Sequence, residues 1–164
     1  MALFGNSRDI AFFKNVNREL LDDVIQQEID FYQLSLEDTE SNMYGEATKG
    51  RVYYRPVRLS CLIEREDVTS NQDDQFGIDV TQNIIFKFFK PRLRDLSLVP
   101  KTGDIIEVRG SYYEVDNVNE NQFVLGKDGD YGKNVGPEFG ESFSVICNTH
   151  LARTTRLQIV KARN

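Results

Sequence analysis

The chain has 164 residues, of which 40% are hydrophobic, 28% charged and 11% aromatic, and its net charge is −6. That composition suits one globular domain, 1–164, with a modest core, and it excludes a chain whose main state is disorder. The acidic balance is the wrong sign for a freestanding nucleic-acid binder. No run approaches the roughly 20 apolar residues that would span a bilayer, so no membrane partner is expected. Two cysteines, Cys61 and Cys147, cannot build a disulfide framework or a four-ligand zinc site by themselves. The opening MALFGNSRD has no basic start followed by a long apolar stretch, and no secretory leader is expected.

The first thirty residues carry a helical period. Ser7 can cap the N-terminus and Asp9 sits in the first turn, where negative charge suits the helix dipole. At roughly 100° per residue, Ile10, Phe13, Val16, Leu20, Leu21, Val24 and Ile25 share one face, and Glu19, Asp22, Asp23, Gln26 and Asp30 share the other. This predicts an amphipathic helix with an acidic back over 1–30. Residues 31–50 then mix Ser, Asn, Thr, Gly and acids without a sustained period, which reads as a long irregular connection. Its Tyr32, Leu34, Leu36, Met43 and Tyr44 are too apolar for a plain linker, so it should lie against a surface.

From residue 51 onward the period becomes two. Val57, Leu59, Cys61 and Ile63 alternate with Arg58, Ser60, Leu62 and Glu64, as a half-buried strand requires. SNQDDQFG (70–77) reads as a turn or mobile loop. Ile78, Val80, Ile84, Phe86 and Phe88 mark a second strand, broken near 81–83 and stopped by Pro91, and PRLRDLSLVP can hold a short helical turn. Gly103–Val108 and Tyr112–Val118 form a hairpin about Arg109-Gly110-Ser111, because glycine lets the turn backbone take φ > 0. Gln122–Leu125, Phe143–Asn148 and Leu157–Val160 complete about six short antiparallel strands. The stretch 126–141, with five glycines and a proline, is a loop. The fold class is α+β and mainly β: an N-terminal amphipathic helix, then a small antiparallel β-sandwich or partly open β-barrel with long loops. A doubly wound nucleotide fold would need helices between the strands.

Catalytic templates find little support. The one histidine, His150, lies three residues from Cys147, but in a strand that spacing sends the two side chains to opposite faces. GKDGDYGKNVG lacks the G-x-x-x-x-G-K-[ST] phosphate loop and opens no helix. As a calcium loop it places Gly132 at the fifth position and Phe139 at the twelfth, where glutamate belongs. Paired carboxylates such as Glu37-Asp38, Asp73-Asp74 and Asp22-Asp23 are solvated acid unless a cleft separates their pKa values. Cys61 and Cys147 read as buried, reduced core residues. No enzyme, cofactor or metal is expected.

Charge is more informative. Residues 19–46 hold nine acids and no Lys or Arg, whereas 87–94 supply Lys87, Lys90, Arg92 and Arg94 without an acid. The tail supplies Arg153, Arg156, Lys161 and Arg163. An acidic helix or loop on one subunit can meet a basic strand or tail on the next, and such heterologous contacts close into rings where the rotation permits. Solvated charge on a monomer is the plainer reading. Tyr53, Tyr54, Tyr112 and Tyr113 beside the basic clusters also allow a small barrel that stacks single-stranded nucleic acid.

The segment PKTGDIIEVRGSYYEVDNVNENQF resembles one in virion neck proteins of T-even-like, contractile-tailed bacteriophages. There a G-D-x-[IV]-E-[FVY] strand is followed by a short turn, a Tyr-Tyr-Glu-[IV]-Asp strand and an Asn-Glu-Asn-Gln segment. The counterparts are Gly103–Val108, Tyr112–Asp116 and Asn119–Gln122, and Ser41–Glu46 and His150–Leu157 are similar as well. The resemblance implies a non-enzymatic virion protein of the head–tail junction, assembled in the host cytoplasm. It would form a ring with copies of itself, contact a portal or adaptor protein and the tail terminator or tail, and let packaged DNA pass without sequence-specific binding. This chain is shorter than the long neck proteins, which leaves open whether it forms an adaptor, head-closure or tail-terminator ring. On that reading Lys87, Lys90, Arg92, Arg94, Tyr44, Arg153 and Arg156 are candidates for the subunit interface. Glu19, Asp22, Asp23, Asp30, Asp128 and Asp130 are candidates for an acidic channel lining that repels DNA.

Overall fold

The computed structural model describes residues 7–39, 50–66, 69–73, 77–120, 123, 142–152, 157 and 159. Helix α1 (Ser7–Glu19) runs into a π-helical turn (Leu20–Ile25), and strands β1 (Glu28–Tyr32), β2 (Val57–Arg65), β3 (Thr69–Asp73), β4 (Gly77–Thr81) and β5 (Asn83–Phe89) follow. Helix α2 (Lys90–Asp95) precedes β6 (Ile105–Val108), β7 (Ser111–Asn119) and β8 (Ser144–Leu151). Six strands close an antiparallel barrel in the order β1-β2-β5-β8-β7-β6, and β3 and β4 pair only with each other. The barrel alternative is the one formed, and it is closed rather than partly open.

Alternation decides what fills the barrel. Phe31, Leu59, Cys61, Ile84, Phe86, Ile106, Val115 and Cys147 point inward and form one core with Leu93 and Leu98. The last two come from α2 and the turn after it and plug one end of the barrel. Phe86 stacks near Phe88 and meets Tyr113 edge-on. The buried polar groups are satisfied: Thr149 Oγ1 donates to the Ile84 carbonyl at 2.8 Å, and Tyr113 Oη donates to Gln82 Oε1 at 3.1 Å. A second layer covers the outside of β6 and β7. Ile105, Tyr112 and Ala152 pack there with Tyr32, Tyr53, Leu157 and Ile159, which is why β6 is buried on both faces.

The helical expectation over 1–30 fails at its end. Glu28–Tyr32 form β1, because Ile29 and Phe31 alternate with Glu28, Asp30 and Tyr32 and both point into the barrel. Ile25 and Ile29 are also four apart, so the strand imitates the last helical turn. The helix stops earlier, where the Gln26 amide donates to the Leu21 carbonyl at 3.1 Å, five residues back, and Gln26 adopts a left-handed φ of 50°. Residues 31–32 therefore belong to a strand, and within the expected connection Leu34 bridges to Tyr53. The segment expected as a loop at 70–77 mostly forms the β3–β4 ribbon. The break within the second strand does occur, at Gln82. Leu157 and Phe123 each make a single bridge and Ile159 is in no strand, while the other residues of the strands expected at 122–125 and 157–160 lie outside the described residues, as do 40–49 and 124–141.

The β6–β7 hairpin turns through Arg109 (φ 52°) and Gly110 (φ 80°), with Val108 opposite Ser111. Two consecutive positive φ angles fit the right-handed strand twist and favour Asn-Gly. Arg109→Asn should therefore raise the urea midpoint by about 0.5–1 kcal/mol of stability. Gly110→Ala should lower it by about 1–2 kcal/mol.

Candidate functional site

The four basic residues at 87–94 divide between two elements. Lys87 projects outward from β5, between Leu62 on β2 and Ile146 on β8, and its Nζ lies 2.7 Å from Glu64 Oε2. Lys90 opens α2 and reaches Glu120 Oε2 at 2.6 Å. Half the cluster is thus neutralised within the subunit. Arg92 and Arg94 are exposed on α2, and Arg92 makes no ion pair among the described residues. Tyr44, Arg153 and Arg156 lie outside the described residues.

The acidic set is split as well. Glu19, Asp22 and Asp23 are exposed along α1 and the π turn, with Asp22 only 3.8 Å from Arg18. Asp30 does not belong to that helix face. It sits on the barrel wall in β1, where its carboxylate takes the Arg58 guanidinium at 3.1 Å. A residue held this way across neighbouring strands is part of the β1–β2 pairing. Asp128 and Asp130 lie outside the described residues.

The more prominent surface is apolar. Of the helix residues expected to face a core, Ile10 and Leu21 are buried. Val24 is 72% exposed, and Phe13, Val16, Leu20 and Ile25 are also open to solvent, as is Phe12, 63% exposed, which the helical period did not assign to that face. The π turn contributes to this, because its wider winding moves Val24 and Ile25 off the line that the 100° spacing assigns them. Between α1 and the outer wall of β2, β5 and β8 runs a groove of about 430 Å³. Phe13, Leu20, Leu62, Phe89, Phe123 and Phe143 line it around Lys87. Periodicity in the sequence marked this helix face as apolar but carried no signal of what covers it.

The side chains with reactive potential are occupied structurally. His150 Nδ1 lies 2.7 Å from Asp116 Oδ1 on the barrel exterior, whereas Cys147 points inward, the opposite facing that their spacing required. No group of three or more metal-ligating side chains is found among the described residues. Asp104 is fully buried and accepts the Leu34 amide at 2.9 Å and the Lys101 amide at 2.7 Å. Burial pushes its carboxyl up, and those two donors partly offset the shift. Tyr112 and Tyr113 are each 4% exposed, so neither ring offers a face to a base. Burial and the hydrogen bond to Glu107, 2.8 Å away, hold the Tyr32 hydroxyl well above its usual range. No described helix is long and apolar enough to cross a membrane.

Compared with known proteins, the chain matches no family model and no curated sequence.

Burial pushes both thiols, Cys61 and Cys147, up to about 12. An unfolded thiol ionises near 8.5, so between there and pH 12 the folded state holds more protons. Stability from these groups is complete below about pH 8.5 and is lost as pH rises toward 12, at up to about 1.4 kcal/mol per pH unit for each thiol. Urea titrations from pH 8 to 11 should show that decline. At pH 8 a thiol reagent should label neither cysteine without denaturant and both together through the unfolding transition, and rapid labelling of the native protein would contradict this packing.

Proposed function

We propose that the chain is a structural, non-enzymatic subunit of a phage neck, a ring component that closes the DNA-filled head and docks the tail. The observation that carries the reading is the open apolar face of α1, where six large hydrophobic side chains within Phe12–Ile25 stand in solvent. Isolated soluble monomers seldom leave so many together, and a subunit that associates with copies of itself covers them. The resemblance of 103–122 to neck proteins supplies the setting, and two of its motifs form the β6–β7 hairpin. In that setting Asp22, exposed on the helix, is available to face packaged DNA and repel its backbone. Arg92, exposed and without an ion pair among the described residues, is available to an acidic neighbour, whereas Lys87 and Lys90 already hold glutamates of their own subunit. The partners on this reading are the portal or adaptor below the head and the tail-terminator or tail proteins.

The burial of Tyr112 and Tyr113 weakens the single-strand-binding alternative, because it removes two of its four stacking rings. Light scattering across concentration, with micrographs of large species, should show rings either alone or on addition of a portal protein. A chain that stays monomeric alone and with portal and tail proteins would overturn the reading. Oligonucleotide binding that weakens steeply with salt would favour the alternative.

A further inference from the structure

We propose that α1 of one copy docks on the α2 shoulder of the next copy, head to tail. The helix contributes the stripe Phe12, Val16 and Leu20, which recurs every fourth residue and so lies along one line. The receiving shoulder is α2 with the turn after it, where Leu96 and Val99 are 39% and 59% exposed. The occupant is chosen by charge. Glu19 and Asp23 border the stripe and have no cation within ion-pair distance among the described residues, and Asp22 has Arg18 of its own helix at 3.8 Å. The shoulder carries Arg92 and Arg94 within one turn of Leu96, and Arg92 makes no ion pair among the described residues. An acid-rimmed apolar stripe and an arginine-rimmed apolar shoulder on one chain fit each other but do not each fit themselves.

The area agrees. The open side chains of Phe12–Ile25 present on the order of 500 Å² of mostly apolar surface, at the upper end for the largest patch of a monomer. Together with their acidic border that approaches the roughly 800 Å² per partner of a standard interface. The acidic rim also disfavours a lipid surface, which attracts basic amphipathic helices. The head-to-tail direction rests on the ring reading, because joining two different patches lets the contact propagate from copy to copy. The contact itself needs only two copies.

The test uses the full chain with cysteines introduced at exposed positions, the native thiols being buried. A chain carrying both Val16→Cys and Val99→Cys should oxidise to a ladder of covalent multimers, while Val16→Cys alone should not dimerise. Phe12→Glu, at a side chain the fold leaves in solvent, should weaken self-association about a hundredfold. Arg92→Glu should weaken it about tenfold, and adding Glu19→Lys to Arg92→Glu should restore most of that loss. Covalent dimers from Val16→Cys alone would show helix-to-helix pairing and overturn the proposal. Rings that form normally without the α1–α2 cross-link, and with Phe12→Glu, would overturn the docking and leave the ring reading intact. A cross-linked ladder that micrographs show as open filaments would support the docking and count against the ring. Absence of any self-association, with or without a portal protein, would overturn both.

Discussion

Closure of the barrel at β1 is the constraint on which the rest of the structure depends. This strand has five residues, and it must pair on one side with β2 and on the other with β6. Phe31 stands opposite Val57 in one ladder and Ile106 in the other, so a slip of one residue would turn Ile29 and Phe31 outward and open both seams. The seam is tied at the chain that leaves it, since the buried Asp104 carboxylate takes the Leu34 amide and the Lys101 amide at once. An aspartate just before β6 thus holds the exit from β1 in register, at the cost of burying a carboxyl that prefers water. The hairpin turn at Arg109-Gly110 sets β6 against β7 and completes the same arrangement.

Much of this was legible in the residue order, and the misses have physical causes. Cys61 and Cys147 read as core because each follows a strict alternation, and they lie in the barrel. The β6–β7 hairpin read correctly because glycine at a tight turn and alternating flanks point the same way. The end of the first helix was misread because Asp30 falls on the acidic side of the helical period, while the two-residue alternation of Ile29 and Phe31 is too short to stand out without the tertiary pairing of β1. Polar composition at 70–77 looked like a loop, yet antiparallel pairing formed most of it into a ribbon without a strong propensity signal. Closure itself was not legible, because it requires the first and fourth strands of the barrel to meet across a separation of some seventy residues.

The candidate surfaces show the same division. Counting charges located a basic cluster, but it could not show that strand register sets Lys87 diagonally across from Glu64, or that Lys90 reaches Glu120. What remains for a partner is α2 with the exposed Arg92. Asp30 was assigned to a helix face by period and belongs to a barrel wall by pairing. The apolar face of α1 was visible as a pattern, and its exposure follows from where β1 and the π turn place it.

That placement has a consequence for how the chain can vary. Inside the barrel each side chain touches several others, so a change of one methyl group is felt by the whole packing. Along α1 and the π turn, Ile10 and Leu21 are buried, while the line from Phe12 to Leu20 is partly open to solvent. Substitutions along that line therefore cost the fold less than changes inside the barrel, while they redraw what the helix presents to another molecule. Because the fold keeps this outward surface on a helix that buries few of its own side chains, that surface can follow a changing neighbour while the barrel interior stays fixed.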